Sequence, residues 1–282
     1  VTVTGECPIC GSRWHPAAVR GLLQCGGCGF VTADLFLSRE ELEGMYSAAY
    51  FQGEEYRDYG AERALFTKHF QLRLATLLRY VPAARRKCLF EIGAAYGFFL
   101  DVARGHFDQV GGIDLSRDAA AYAREVVGVC VAAGDFLEYP LDGAVDAVCM
   151  WDTIEHLAHP ALYIEKVAAH QRAGGVLAIT TGDIGSPLAR WRKEKWRQIH
   201  PPSHLHYFSQ GTLQSLLAKY GYEVCYTGHA GCYRSVDTAA YILLSLRGGR
   251  PGLYRKLKAT GLLNWSFYSN FYDILYVIAK RL

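Results

Sequence analysis

The chain contains no uninterrupted apolar run approaching the roughly 20 residues that a membrane-spanning helix requires, and no charged, apolar, small-residue leader opens it. It is accordingly expected in the cytoplasm. A strong charge of either sign is also missing. The 30 Lys and Arg face 27 Asp and Glu, for a formal net charge of +3, whereas a protein whose main partner is nucleic acid carries a marked basic excess. Any basic surface must be local. Internal repeats and low-complexity segments are absent, which removes solenoid and biased-composition readings.

Cysteine, by contrast, is plentiful at nine residues. Four sit in two tight CxxC pairs near the start, while Cys88, Cys130, Cys149, Cys225 and Cys232 are scattered. An odd count with this clustering reads as metal ligands plus reduced thiols rather than a secreted disulfide framework. Cys7-Pro-Ile-Cys10 and Cys25-Gly-Gly-Cys28, with 14 residues between them, supply four thiolates at zinc-ribbon spacing. A thioredoxin-type redox site has one such pair beside a βαβ unit, not two facing pairs in so short a stretch. With Cys7, Cys10, Cys25 and Cys28 filling every position, the ion has no open site and is expected to be structural.

The 282 residues suffice for one α/β domain of ordinary size plus this appendage. Residues 1–34 are read as the zinc ribbon and 35–80 as a helical linker, with Ser38 as a cap ahead of Glu40, Glu41 and Glu43, and tyrosines at 46, 50, 56 and 59. Apolar residues at helical spacing predict a helix over 61–80, stopped by Pro82. Residues 81–282 form the main domain. There, β-like runs at 88–92, 110–113, 129–132, 144–150, 176–180, 222–226 and 274–279 alternate with helical stretches for most of the way, which predicts an α/β fold with a seven-stranded, mostly parallel sheet and helices on both faces. Residues 235–270 are left as a helical insertion.

The run Glu91-Ile92-Gly93-Ala94-Ala95-Tyr96-Gly97 reads as strand end, glycine turn and helix start, where a doubly wound sheet brings its backbone close to a nucleotide-like ligand. Asp114 ends the next run 23 residues after Glu91, followed by Leu115, and is placed to accept hydrogen bonds from both ribose hydroxyls. Asp135-Phe136 ends the third run, an acid beside a ring suited to binding and covering an adenine. Ala95 removes the central glycine of the dinucleotide Gly-x-Gly-x-x-Gly pattern, which argues against a dehydrogenase.

This ordered set resembles class I S-adenosylmethionine-dependent methyltransferases over roughly residues 61–282, here with an N-terminal zinc ribbon. The resemblance implies a Rossmann-like fold and S-adenosylmethionine as cofactor. It assigns the amino-acid half of the cofactor to Glu91, Gly93, Ala94, Ala95 and Gly97, the ribose to Asp114 with Leu115, and the adenine to Asp135 and Phe136. Trp151, at the end of the fourth run, joins the cofactor set. The commonest family turn has a glycine where this chain has Ala95.

Two histidine segments are candidates for the acceptor end. Asp152, Glu155 and His156 share one face if the chain coils from Asp152, which resembles the Glu-His element of small-molecule methyltransferases, including ubiquinone-pathway O-methyltransferases that can bind a divalent ion there. His156 is then a general base titrating near neutrality, a member of a magnesium-type site, which magnesium's preference for oxygen ligands disfavours, or a structural histidine. In His200-Pro201-Pro202-Ser203-His204-Leu205-His206 the prolines are expected to hold the segment extended, so that His204 and His206 point the same way. The segment resembles the Pro-x-His-Leu-x-x-Phe-Ser element of a broad bacterial methyltransferase subfamily, whose zinc-ribbon members often lie among genes for sugar, polysaccharide or natural-product assembly. That makes His204 the second catalytic candidate, against a reading in which these histidines pack the helix that Ser209 caps.

The basic-aromatic run 190–197 fits a phosphate, a nucleotide diphosphate or RNA, or a solvated helix face. The insertion, with Tyr241 to Leu244 followed by Arg247, Arg250, Arg255, Lys256 and Lys258, fits a lid, a dimer contact or a peripheral membrane contact. The leading expectation is methyl transfer to a small-molecule acceptor, a sugar or a nucleotide- or lipid-linked glycan or natural-product intermediate. An RNA methyltransferase is the alternative; near-neutral charge and Trp151-Asp152-Thr153-Ile154 in place of an Asn-Pro-Pro-Tyr motif argue against it. A non-catalytic cofactor-binding scaffold is the third reading.

Overall fold

The structure is a computed structural model and describes residues 5–35, 41 and 62–282. The expected Ser38 cap and the tyrosine-rich stretch lie outside the described residues. In chain order the elements are β1 (Trp14–Pro16), β2 (Leu22–Cys25), β3 (Val31–Ala33), α1 (Arg63–Leu77), β4 (Cys88–Ile92), α2 (Phe98–Ala103), β5 (Gln109–Asp114), α3 (Arg117–Tyr122), β6 (Cys130–Ala133), β7 (Ala147–Trp151), α4 (Pro160–Ala169) and β8 (Val176–Gly182). They continue with α5 (Pro187–Arg192), β9 (His206–Tyr207), α6 (Gln210–Lys219), β10 (Tyr222–His229), β11 (Cys232–Ser235), α7 (Val236–Ala240), α8 (Pro251–Ala259), β12 (Ser266–Ser269) and β13 (Ile274–Arg281).

Seven strands form one sheet in the order β10-β13-β8-β7-β4-β5-β6. β13 runs antiparallel to both of its neighbours, while the ladders from β8 through β7, β4 and β5 to β6 are parallel. The chain moves outward from β4 to β5 and β6, then returns to lay β7 on the other side of β4. That reversal opens a crevice at the carboxyl ends of β4 and β7, where such sheets bind ligands.

The central strands are apolar on both sides because successive side chains feed different cores. Leu89, Ala147, Cys149, Ala178 and Ile278 pack against α1, α2 and α3, while Phe90, Val148, Met150, Leu177 and Val277 pack against α4 and α6. Helix α1 lays Phe70, Leu74 and Leu77 on the first face, at the i, i+4, i+7 spacing of one helix side.

Residues 235–270 are not wholly helical. After α7, a π-helical turn over Tyr241–Arg247 and α8, the segment closes with β12, which pairs antiparallel with β11 from Ser235↔Ser266 to Cys232↔Ser269. The N-terminal ribbon is a small antiparallel sheet, β1-β2-β3, extended by β9 of the main domain.

Candidate functional site

A cavity of about 910 Å³ lies over the carboxyl ends of the parallel strands, at the upper end of the roughly 300–1,000 Å³ usual for ligand pockets. Its wall includes Glu91, Gly93, Ala94, Ala95, Asp114, Leu115, Asp135, Phe136 and Trp151 at one end, and Arg73, Asp152, Glu155, His156, His200, His204 and Arg234 at the other.

The first end is built on the turn from β4 into α2. Gly93 has φ 76°, and a Cβ there would lie 2.5 Å from Thr153 Oγ1, so only glycine fits without a shift. Gly97, a candidate cofactor residue, does not line the cavity; it caps α2 at φ 74°, and a Cβ would strike Val129 Cγ2 at 2.5 Å. Its glycine serves helix-on-strand packing. Ala95 adopts φ 45° and its N–H donates to Asp114 Oδ2 at 2.7 Å, while Ser116 N–H donates to Oδ1 at 2.8 Å. Burial raises the Asp114 pKa and these two amide donors oppose the rise.

Glu91 is 2% exposed, and its Oε2 has no hydrogen-bond partner among the described residues. Burial, then the Asp114 charge, pushes its pKa well above the usual carboxylate range against the pull of Arg73. An orphaned acceptor in a cavity wall is costly unless a ligand supplies a donor. The donor-rich amino-acid and ribose groups of S-adenosylmethionine fit this end.

Asp135 accepts from Leu137 N–H at 2.8 Å and Tyr163 O–H at 2.5 Å. The Phe136 ring, expected to cover a base, is 1% exposed. It packs against Phe90 and Tyr163 with Lys166 Nζ 4.9 Å from its centroid. Apolar neighbours and a cation hold most of the ring in the core, and Phe136 meets the cavity only as part of its wall. Lys166 also donates to the carbonyls of Phe136, Leu137 and Tyr139, fixing the loop that carries Asp135. Trp151 meets Phe99 and Tyr276 edge to face, and Arg73 lies 5.4 Å from its ring.

At the second end, the face expected for Asp152, Glu155 and His156 does not form. Asp152 has φ 51°, and the coil is a short 3-10 turn over Ile154–His156. Its carboxylate instead accepts from Arg73 at 2.7 Å and from Thr180 Oγ1 at 3.0 Å. Against the upward push of burial, these partners hold Asp152 below the usual carboxylate range. The group that does assemble is Glu155, His156 and His204, with ligand-type atoms all within 4.8 Å of one another.

Glu155 is 3% exposed and its Oε2 has no partner among the described residues; burial and then Asp152 raise its pKa to about 8. His156 Nδ1 donates to Ser203 O at 2.7 Å, leaving Nε2 as the acceptor nitrogen of the neutral ring. His204 lies edge-on to His156 at 4.6 Å and stacks on His200 at 4.5 Å. Neither candidate base titrates near neutrality: burial above all lowers His156 to about 4 and His204 to about 2.

His206 does not point with His204. Residues 201–203 form a turn and strand pairing begins only at His206, so the alternation expected of an extended segment is not in place. His206 stacks on Phe30 at 5.5 Å, and its Nδ1 lies 3.1 Å from Thr32 Oγ1. In the basic-aromatic run, residues 190–195 are exposed, whereas Trp196 and Arg197 both donate to buried Asp273 at 2.9 Å. Sequence reasoning missed Arg73. Its one signal was a cation at i−1 from Leu74 and i+3 from Phe70 on the buried side of α1.

The four cysteines converge. Cys7 Sγ lies 3.6 Å from Cys28 Sγ and Cys10 Sγ 3.4 Å from Cys25 Sγ, with all four within 4.8 Å. A tetrahedral ion with sulfurs at about 2.3 Å sets them about 3.8 Å apart, and a disulfide about 2 Å. The two knuckles repeat one pattern: Cys7 N–H donates to Ser12 O and Gly11 N–H to Cys7 O, as Cys25 N–H does to Phe30 O and Gly29 N–H to Cys25 O. The cluster is consistent with a zinc ribbon.

Comparison with curated proteins gives no match. Among solved structures, the magnesium protoporphyrin IX methyltransferase of Synechocystis, crystallised with SAH bound, is 13% identical and superposes with a TM-score of 0.56 over 87% of this chain and 100% of its own. The YcgJ protein of Bacillus subtilis is 15% identical, with a TM-score of 0.53 over 74% of this chain and 98% of its own. These likenesses speak for the fold. The family described as "Methyltransferase domain" matches residues 62–227, the stretch that carries β4 with its glycine turn, Asp114, Asp135 and the histidine end of the cavity. With more than half its length inside that family and a donor-side wall suited to the cofactor, the chain belongs to the class I S-adenosylmethionine-dependent methyltransferases.

Proposed function

We propose that the protein methylates a hydroxyl of a small-molecule acceptor, a sugar or a nucleotide- or lipid-linked glycan or natural-product intermediate, with His156 and His204 at the acceptor. The observation that carries this reading is one cavity lined at one end by Glu91 and Asp114 and at the other by the half-buried His156 and the buried His204. S-adenosylmethionine, when bound, supplies an electrophilic methyl on a sulfonium. Asp114 and the Gly93–Ala95 backbone would hold its polar half, and Glu91 Oε2 would take a donor from it.

Low histidine pKa values suit this chemistry. Neutral rings place no cation beside a positively charged donor. As the acceptor oxygen bonds to the methyl, the methyl's bond to sulfur breaks and its electron pair stays on sulfur as a neutral thioether. The acceptor's proton becomes strongly acidic, and Nε2 of His156 would take it although the imidazole is a weak base. His204, against the edge of His156, shapes the acceptor pocket. The four cysteines hold a structural zinc ion.

A second reading places a divalent ion on Glu155, His156 and His204. Glu155 Oε2, without a partner among the described residues, favours it, and the imidazole-rich donor set suits zinc, manganese or iron better than magnesium.

The test is incubation of the protein, with isotope-labelled methyl donor, against nucleotide-sugar, glycan and RNA pools. The reading expects a small product heavier by one methylene, lost in His156→Ala. Label transferred to RNA, with binding that weakens steeply in salt, contradicts it.

A further inference from the structure

The ribbon is bound to the acceptor end by more than the chain that joins them. Strand β3 pairs with β9 through Val31↔Tyr207 and Thr32↔His206. The peptide between the two histidines, Leu205, is gripped from both sides. Its carbonyl accepts from Ala33 N–H at 2.8 Å and Thr32 Oγ1 at 3.0 Å, and its N–H donates to the Glu155 carbonyl at 2.9 Å. One residue thus links the ribbon's last strand to the 3-10 turn that carries His156.

The knuckles are part of the same unit. The N–H of Cys25 donates to the Phe30 carbonyl at 2.8 Å, and the fully buried Phe30 ring packs on His206 at 5.5 Å and Phe208 at 5.0 Å. Strand β9 is two residues long, and its ladder partner among the described residues is β3. A pairing this short has no independent stability; it depends on the ribbon's own closure for its rigidity.

We propose that the four-cysteine ribbon is a positioning element of the acceptor site, with Thr32 as the residue that holds Leu205 and thereby sets His204 against His156. The catalytic meaning of that placement rests on the function proposed above, but the placement itself does not. Closing the knuckles orders Phe30 and β3, β3 orders Leu205, and Leu205 fixes the spacing of the two histidines.

The experiment uses the full chain loaded with Co2+, whose thiolate absorption reports occupancy of the four cysteines. Backbone hydrogen exchange is followed at Ser203–Ser209 and, as an internal control, at β5, together with SAH affinity by calorimetry and the ring-carbon-bound proton resonance of His204 by NMR. Thr32→Val is expected to keep cobalt and SAH affinity, to speed exchange at Leu205 to Tyr207 about fivefold, the worth of one hydrogen bond, and to move the His204 resonance. Thr32→Ser should restore wild-type behaviour. Chelation should release the same segment at least tenfold while β5 stays protected. Unchanged exchange and an unmoved His204 signal in Thr32→Val, or intact protection at Ser203–Ser209 after chelation, would overturn the proposal. If chelation also exposes β5, Thr32→Val decides alone. Turnover is not read, so failure of the base assignment leaves these outcomes unaffected.

Discussion

Replacing Gly93 by alanine perturbs the turn that brings β4 to the cavity, and its cost can be worked from two terms. An L residue in the left-handed region costs about 1–2 kcal/mol, and Gly93 sits at φ 76°. The added Cβ would lie 2.5 Å from Thr153 Oγ1 and 2.6 Å from its Cγ2. Thr153 cannot swing aside freely, because it is β-branched and its hydroxyl donates to Trp151 O at 3.1 Å. Overpacking of this kind costs about 1–3 kcal/mol, so Gly93→Ala should lose about 2–5 kcal/mol. Denaturant unfolding measures the loss, and calorimetry with SAH should show affinity at least tenfold weaker. Thr153→Ala removes both clashing atoms but not the dihedral cost, so the double variant should recover the steric part, a coupling of about 1–3 kcal/mol. A loss under about 0.5 kcal/mol, or no relief from Thr153→Ala, would refute the reasoning.

Ala95 already carries a side chain at φ 45°; Ala95→Gly should therefore raise unfolding stability by up to about 1 kcal/mol and leave SAH affinity intact, since the bond to Asp114 comes from the backbone. Lys166→Met strips donors from three carbonyls and should cost about 3 kcal/mol, with SAH affinity weakened several-fold by loosening of the Asp135 loop; an unchanged denaturation midpoint would contradict this. Burial above all lowers His206 to about 4. Its neutral form is favoured in the folded chain, so its contribution is complete above the unfolded value near 6.5 and declines by about 1.4 kcal/mol per pH unit as pH falls toward 4. His206→Gln lacks that slope, so the stability gap between wild type and variant should narrow by roughly 2 kcal/mol between pH 7 and pH 5; parallel pH profiles would contradict it.

The parallel sheet was legible because its strands, buried on both faces, read as continuous apolar runs such as Ala147–Trp151 and Val176–Ile179. The gathering of Glu91, Gly93 and Asp114 in one cavity wall was legible because local chain geometry fixes them at successive strand ends. What escaped was long-range. Arg73 reaches Asp152 across 79 residues, and Thr32 meets Leu205 across 173; no periodicity encodes either. The left-handed Asp152 broke the helical face drawn through it, since a single backbone angle redirects a side chain without changing residue spacing. The β11–β12 pairing was hidden because exposed aromatics such as Phe267 and Tyr268 blur the alternation of a half-buried strand.

Isothermal calorimetry of the wild-type chain and Asp114→Asn with SAH, and of the wild type with NAD, tests the central claim most directly. The account predicts saturable heat with SAH, affinity about 10- to 100-fold weaker in Asp114→Asn from the loss of charge-assisted hydrogen bonds, and no heat with NAD. Tight NAD binding with no response to SAH would contradict it.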